Sequence, residues 1–312
     1  MTNRQPETLQ EGLRNLGFSP KDFGDYFRMK AIYRQGSNPL ALCVEKNTGN
    51  FRDFGAFSPY PQKGSWQDLQ RLVGKTSSGI SFNRPQEEQE KFMKQVEFPI
   101  EMLKRLLPMW DFYTERGISE ETMKSFQSGM AMSGKLARRI CFPVFNTANK
   151  IIGFAGRWYK SQVPNEMTPK WKLISPKTNF VYPCHLNKPN TLGVILVESI
   201  GCVVRLKECG INNAFCLFGT SLGGGLLKYL ISENPNRIFI ATNNEPDNNS
   251  IGNLAAEKIQ KKLVKFFDES KIHVELPFGK DFFDMTNEEV VRWYNNLQQK
   301  YAEKQETDIE NW

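Results

Sequence analysis

Side chains that commonly bind structural metals are scarce in this sequence. It has two histidines, His185 and His273, and its six cysteines include no C-x-x-C pair. Zinc ribbons and zinc fingers need closely spaced pairs of ligands, so we expect no zinc site. Most of the cysteines have apolar neighbours, which indicates buried, reduced thiols in a cytoplasmic protein.

Long apolar segments are also missing. No apolar run is long enough to cross a bilayer, and residues 1–17 are too polar for a signal peptide, so we expect no membrane partner. The apolar content of 39% and the charged content of 24% are those of a globular protein. A length of 312 residues allows two or three domains with their own cores.

Positive charge is concentrated in one window, residues 131–180. The window contains one acid, Glu166, and nine basic residues: Lys135, Arg138, Arg139, Lys150, Arg157, Lys160, Lys170, Lys172 and Lys177. Its net charge is therefore +8 in a chain whose total is +7, which leaves −1 for everything else. Such a concentration favours a polyanionic partner, and the alternative is a solvated basic face.

The same window is expected to be ordered. Two apolar runs, at residues 140–145 and 151–157, flank a short polar turn and predict a β-hairpin. Trp158, Tyr159 and Trp171 lie among the cations, and flat rings beside positive charge suit unpaired bases.

The chain divides into five expected segments. Residues 1–74 read as a small α+β module with helices at 7–16 and 66–73 and strands at 40–44 and 51–54. Residues 75–97 read as a linker.

Residues 98–190 form the basic helical and β subdomain, which begins with a helical stretch at 99–129. Residues 191–286 alternate strand and helix, with strands at 193–197, 213–218, 237–241 and 272–276, which is typical of a doubly wound α/β fold with a parallel sheet. Residues 287–312 form a C-terminal helix, capped by Thr286 and Glu289, and a loose acidic tail at 307–312.

Polar side chains follow three strands of the predicted parallel sheet. They are Glu198, the segment 243–247, and Asp281 with Asp284. Ligands of open α/β sheets bind beyond the carboxyl ends of the strands. Converging carboxylates favour a hard cation such as Mg²⁺, and such sites carry out phosphoryl or nucleotidyl transfer. The alternative is that these loop acids are solvated or cap the following helices.

The order of short motifs resembles that of the bacterial-type DNA primases and their tailed-phage relatives. FYTERGISEE at 112–121 is similar to the family pattern L-x-x-R-G-I-S-x-E, and FPVFN at 142–146 with IGFAGR at 152–157 is similar to F-P-I-x-D…I-G-F-x-G-R. PKWKLISP at 169–176 resembles P-K-Y-L-N-S-P. VES at 197–199 with FGTSL at 218–222 resembles the opening of the Toprim domain, and LPFGKDFFD at 276–284 resembles L-P-x-G-K-D-x-x-D. Each piece is weak, but together they run in the same order from residue 112 to residue 284.

This resemblance implies a fold, an activity and a set of site residues. The fold would be α/β, with a Toprim-like parallel sheet flanked by helices and preceded by the basic subdomain and the N-terminal module. The activity would be Mg²⁺-dependent synthesis of RNA primers on single-stranded DNA from ribonucleoside triphosphates, with Mn²⁺ as an alternative ion and a replicative helicase as partner.

The implied catalytic residues are Glu198, Glu245, Asp247 and Asp281. The implied metal ligands are Glu198, Asn243, Glu245, Asp247 and Asp284. The implied nucleic-acid or nucleotide contacts are Arg139, Arg157, Lys170, Trp171, Lys172 and Lys177. A phage-encoded protein would work in the host cytoplasm, and residues 287–312 are the candidate helicase contact.

Three departures from the family pattern qualify these implications. Cys202 stands where the family has an aspartate, and the family's D-x-D becomes a segment around Asn243 and Glu245. The family's zinc ribbon corresponds to residues 39–74, which have no ligand cysteines, and Phe51, Phe54 and Trp66 are expected to hold its hairpin instead. Two other hypotheses therefore stay open: a non-catalytic relative that binds single-stranded DNA, and a Toprim nuclease or topoisomerase.

Overall fold

A computed structural model describes residues 8–36, 38–55, 60–75, 80, 96–160, 168–244, 251–279 and 281–310, with the side chains of residues 251 and 302–310 left out. The chain forms two compact units. Unit 1 comprises residues 1–92 and 260–273, and unit 2 comprises residues 93–259 and 274–312. The expected boundaries differ from this division, because residues 260–273 were assigned to the catalytic domain. Most of the predicted linker, 75–97, lies outside the described residues.

Unit 1 is built on a five-stranded antiparallel sheet in chain order. Its elements are α1 (Leu9–Asn15), β1 (Lys21–Phe23), β2 (Tyr26–Met29), β3 (Leu42–Glu45), β4 (Phe51–Asp53), β5 (Lys63–Gly64) and α2 (Trp66–Leu72). Thr8 and Ser65 begin the two helices as capping boxes. One face of the sheet is buried with the apolar sides of both helices, and Phe51 and Trp66 belong to this core.

The first two strands of unit 1 were not predicted, because the segment was read as a loop. A two-residue Gly24-Asp25 turn joins them, and Gly24 has the positive φ of 72° that such a turn requires. Phe23 and Tyr26 pair across the turn. A Gly-Asp dipeptide between aromatic residues was therefore the available signal.

The first sheet of unit 2 also has five strands, in the order β10-β9-β8-β7-β6. Its elements, with two short helices, are β6 (Leu106–Leu107), α3 (Asp111–Thr114), α4 (Glu120–Ser125), β7 (Gly129–Ala131), β8 (Arg139–Phe145), β9 (Ile151–Trp158) and β10 (Trp171–Ile174). The predicted hairpin is present as β8 and β9.

The predicted helical stretch at 99–129 is wrong in its first part. Ile100–Arg105 is a 3₁₀ helix, and Leu106–Leu107 is a strand that pairs with β7. Pro108 disfavours helix at the residue before it and cannot donate a backbone hydrogen bond, so the chain leaves helix before this point. The apolar stripe of Met102, Leu103 and Leu106 packs on a sheet face.

A four-stranded sheet has the order β12-β11-β13-β14 and confirms the predicted α/β class. Its elements are β11 (Val194–Val197), α5 (Ile200–Glu208), β12 (Ala214–Cys216), α6 (Gly224–Glu233), β13 (Ile238–Ile240), α7 (Ile251–Leu263) and β14 (Ile272–Val274). β11 is parallel to both β12 and β13. The chain passes from β11 to β12 on one side of it and then to β13 on the other side, so the strand order reverses at β11 and its carboxyl end is a topological switch point.

Helix α8 (Asn287–Glu310) ends the described chain. Thr286 and Glu289 form the predicted capping box, with a 2.9 Å bond from the Thr286 amide to the Glu289 carboxylate. The helix extends through residue 310, so much of the segment predicted to be loose is helical. Within the described residues, no helix combines the length and apolar character needed to cross a membrane.

Candidate active site

A single cavity of about 760 Å³ in unit 2 brings the predicted acids and the predicted cations together. Its lining includes Glu198, Asn243, Asp281 and Asp284 from the sheet β12-β11-β13-β14 and the segment after it, and Arg157, Lys170, Trp171 and Lys177 from the basic subdomain. Among the described residues it also contains Arg116, so four cations stand against three carboxylates. The cavity therefore offers cations for the negatively charged groups of a ligand and carboxylates for a cation.

Glu198 lies where three parallel-sheet strands end. It directly follows β11, and its Oε1 accepts a 3.2 Å hydrogen bond from the amide of Asn243, which follows β13. Its own carbonyl accepts from the amide of Gly219, beyond β12, at 2.9 Å. These bonds hold the Glu198 carboxylate at the switch point of the sheet.

Asp281 is a partly buried carboxyl on the turn after β14. Burial raises its pKa, and the neighbouring Asp284 carboxylate raises it further. The backbone amides of Phe283 and Asp284 and the ammonium of Lys170 oppose that rise, and the Asp284 amide lies 3.0 Å from Oδ1. Asp281 therefore binds a proton more readily than an exposed aspartate does, unless a cation enters the cavity.

Cys202 stands where the resemblance to primases implies an aspartate. Its side chain is buried, and its sulfur accepts hydrogen bonds from the Ser199 hydroxyl at 3.2 Å and from the amides of Phe282 and Phe283. Burial, with a smaller effect of the Asp281 carboxylate, raises the pKa of the thiol to about 12. The neutral sulfur therefore holds the turn that carries Asp281 without adding a charge.

Two guanidinium groups, those of Arg116 and Arg157, lie against one phenyl ring in the lining of the cavity. The Cζ of Arg157 is 3.4 Å from the centroid of Phe112, and that of Arg116 is 3.9 Å away. Arg157 is only 4% exposed, and burial lowers its pKa to about 10, so it is charged at neutral pH. Sequence reasoning did not select Phe112 or Arg116, although both lie in the motif at 112–121.

The remaining predicted cations fall into two groups. Lys177 lines the cavity and donates from Nζ to the carbonyl of Phe218 at 2.8 Å. Lys172 is exposed and does not line the cavity, because strand alternation turns it away from Trp171 and Leu173. Arg139 is buried and also absent from the lining, and its guanidinium donates to the carbonyls of Gly156, Pro169 and Lys170. Its contacts are those of a side chain that holds the Lys170 segment in place.

The metal ligands predicted from the sequence are Glu198, Asn243, Glu245, Asp247 and Asp284. Glu245 and Asp247 lie outside the described residues. Among the residues that are described, no three His, Cys, Asp or Glu side chains form a group that could hold a metal ion. Glu198, Asn243 and Asp284 offer side-chain oxygen atoms, the ligand type that Mg²⁺ prefers, so these donors fit the ion in kind.

Comparisons with known proteins agree with the resemblance seen in the motifs. No family model matches the chain. A DNA primase of Clostridium acetobutylicum is 32% identical over 113 residues, which are 35% of this chain and 19% of the relative. A DNA primase of Helicobacter pylori strain 26695 is 27% identical over 130 residues, 41% of this chain and 22% of the relative. The chain thus spans about one fifth of the length of these curated relatives. A DNA primase of Rickettsia bellii is 24% identical over 225 residues, 60% of this chain and 37% of the relative.

Solved structures show the fold. The RNA polymerase domain of the Mycobacterium tuberculosis primase matches with a TM-score of 0.50 and 17% identity, over 60% of this chain and 74% of that one. The Escherichia coli primase catalytic core matches with a TM-score of 0.50 and 18% identity, over 65% and 74%. A primase catalytic domain bound to single-stranded DNA matches equally well, over 66% and 74%. The predicted resemblance to bacterial-type DNA primases is confirmed, and the fold is that of their catalytic core. The tailed-phage branch stays a prediction.

Proposed function

We propose that this chain is a DNA primase, which joins ribonucleotides into short RNA primers on a single-stranded DNA template. The observation that supports this best is the shared cavity, in which Glu198 and Asp281 face Arg157, Lys170 and Lys177. Nucleotidyl transfer needs both groups. The acids bind the divalent ion that activates the attacking hydroxyl, and the cations bind the triphosphate and the DNA template.

Each residue of the cavity has a proposed role that follows from its position. Glu198, fixed at the switch point, is the proposed general base or ion-linked acid, with Asn243, Glu245, Asp247 and Asp284 as the other ion ligands. The Lys170 ammonium favours the ionised form of the Asp281 carboxyl, although burial and the Asp284 carboxylate raise the pKa of that group more strongly. A bound Mg²⁺ would lower the pKa of the attacking hydroxyl and offset charge on the leaving pyrophosphate. Trp171 offers a half-buried ring beside the cations for a template base.

Two further parts of the proposal rest on the resemblance. A replicative helicase is the proposed partner, and the exposed surface of α8, around Val291 and Arg292, is the proposed contact. The proposed setting is phage DNA replication in the cytoplasm of a host cell.

Primer synthesis is tested directly with purified protein, a single-stranded template, labelled ribonucleotides and Mg²⁺. We expect short RNA products that disappear in Glu198→Gln, while DNA binding persists because no cation has been removed. Glu233→Gln changes an exposed glutamate at the end of α6 and serves as the matched control. Unchanged synthesis in Glu198→Gln would refute the role of Glu198.

A non-catalytic DNA-binding relative is the second candidate. Neutral Cys202 and neutral Asn243, which stand where the resemblance to primases implies acids, favour it. It predicts DNA binding that weakens steeply with salt and no ion-dependent RNA product from the unaltered protein. Ion-dependent nicking of plasmid DNA would favour a Toprim nuclease instead.

A further inference from the structure

The sheet of β6–β10 has two faces, and one of them is thinly covered. One face packs into the large core of unit 2 through residues such as Phe142 and Ala155. The opposite face carries Cys141 and Phe154 in a smaller cluster. Within the described residues, this face is covered mainly by the segment 98–106 and the 3₁₀ turn Gly134–Leu136.

A cavity of about 380 Å³ opens on this second face. Its walls are mostly apolar, and they include Phe98, Met102, Leu106, Ala131, Leu136 and Phe154. Met132 also lines the cavity, and its side chain is 62% exposed. An apolar cavity of this kind commonly marks a binding site.

Two cations line the cavity beside these apolar groups. Arg105 and Lys135 are both exposed and both contribute to the lining. In the described part of the chain neither of them forms an ion pair. An occupant with carboxylates next to an apolar group would therefore match the site in charge as well as in polarity.

The chemistry of the walls favours a peptide over a nucleic acid. The two aromatic rings of the lining, Phe98 and Phe154, pack edge to face against each other with centroids 5.6 Å apart. The other apolar groups are aliphatic, thioether or thiol, whereas bases stack on flat aromatic faces.

We propose that this cavity is a docking site for a short acidic peptide segment of a partner protein. An apolar anchor side chain of the peptide fills the cavity, and flanking carboxylates meet Arg105 and Lys135. The site lies on the opposite face of the β6–β10 sheet from the core that carries the candidate active site. A docked partner therefore leaves the 760 Å³ cavity open to a strand and nucleotides. The proposal does not depend on the proposed function, because it rests on the lining of a separate cavity.

Fluorescence anisotropy with the full chain tests this inference. The probe is a fluorescein-labelled peptide, Asp-Asp-Asp-Glu-Leu-Phe, and the control peptide carries Lys in place of each acid. We expect saturable binding of the acidic probe only. The double substitution Arg105→Glu with Lys135→Glu should weaken it by about tenfold or more, which corresponds to about 1.4 kcal/mol. Both side chains are exposed, so the fold should persist, and unchanged melting would verify this.

The matched control reverses two other exposed lysines, Lys188→Glu with Lys228→Glu, and should leave the affinity unchanged. No binding, or binding that the Arg105 and Lys135 reversal leaves intact, would overturn the proposal. Two other outcomes would also overturn it. One is a dimer in light scattering that this reversal dissociates, since the face would then join two copies of the chain. The other is loss of oligo-dT binding without loss of peptide binding, which would assign the face to nucleic acid.

Discussion

At the scale of single residues, His185 gives unit 2 a pH-dependent stability. Its ring packs 4.4 Å from the centroid of Phe145, and neither ring nitrogen has a hydrogen-bond partner among the described residues. Burial, with a smaller effect of the Lys207 charge, lowers the pKa of the imidazole to about 4. The unfolded chain therefore takes up a proton near pH 6.5, before the folded chain does.

We predict that His185 contributes a loss of stability as the pH falls from about 6.5 to about 4. His185→Leu should remove that contribution, so the unfolding free energy of the unaltered protein should fall relative to that of the variant as the pH drops below 6.5, while the difference stays constant above it. Urea unfolding at pH 7.5, 6, 5 and 4.5 measures it. Parallel curves for the two proteins would show that His185 does not titrate differently on folding.

Cys202 supports the acid site through hydrogen bonds that serine can partly reproduce and alanine cannot. In Cys202→Ala the amides of Phe282 and Phe283 would lose a buried acceptor, which costs about 1–3 kcal/mol. We predict a lower melting temperature for Cys202→Ala and a smaller loss for Cys202→Ser, with primer synthesis reduced in the same order. Thermal unfolding and product yield measure the two effects. Equal melting of Cys202→Ala and the unaltered protein would remove this supporting role.

At the scale of elements, the alternation of β10 separates two lysines that look equivalent in the sequence. Lys170 lines the 760 Å³ cavity, whereas Lys172 points away from it. We predict that Lys170→Ala weakens single-stranded DNA or nucleotide binding and lowers the salt slope of binding by about one. Lys172→Ala should change both much less, and it is the matched control. Equal losses of binding affinity in the two variants would show that the DNA strand does not bind in this cavity.

Elements with strong local signals could be predicted, and those fixed by tertiary pairing could not. The runs that became β11, β12 and β13 are short, continuous and apolar, and buried parallel strands require this pattern. The apolar residues at 102–107 fit a helical spacing equally well. Their actual structure depends on the pairing of Leu106 with Ala131, which no local pattern contains.

The candidate site was predictable where charge and strand ends specified it. Glu198 and Asn243 meet because parallel strands end at the same edge, and Arg157 and Lys170 enter the same cavity from the antiparallel sheet. Arg139 was expected from the resemblance and the basic window to contact nucleic acid, and its burial against three carbonyls could not be read from the sequence. Arg116 was missed because a cation within a helix–turn motif resembles an ordinary surface residue.

At the scale of the whole molecule, unit 1 is not a simple N-terminal segment. Phe267 packs edge to face against Phe54 at 5.6 Å, so residues 260–273 complete its core. Arg34 forms ion pairs with both Asp53 and Asp268, and all three side chains are buried. The expected hairpin without zinc is therefore held by an ionic group as well as by the predicted aromatic residues, and one partner of that group lies more than 200 residues away.

The carbonyls near the end of α7 depend on the same arrangement. Arg28 donates to the carbonyls of Lys265 and Phe266, at 3.0 and 3.3 Å, and Asn38 donates to that of Phe267 at 3.0 Å. Removing residues 1–74 would leave these carbonyls without their donors and would expose Phe267. It would also leave Asp268 buried without Arg34 or else open to water, and breaking a buried ion pair costs about 3–5 kcal/mol.

We therefore predict that a fragment of residues 96–312 melts at a lower temperature than the full chain and binds more of a dye that reports exposed apolar surface. Arg34→Met in the full chain should reproduce part of the loss of stability, since it removes the ion pairs and keeps the aromatic core. Arg52→Met changes an exposed arginine on β4 and is its control. If the fragment melts as the full chain does, residues 260–273 do not need unit 1, and the division at residue 74 predicted from the sequence describes the protein better.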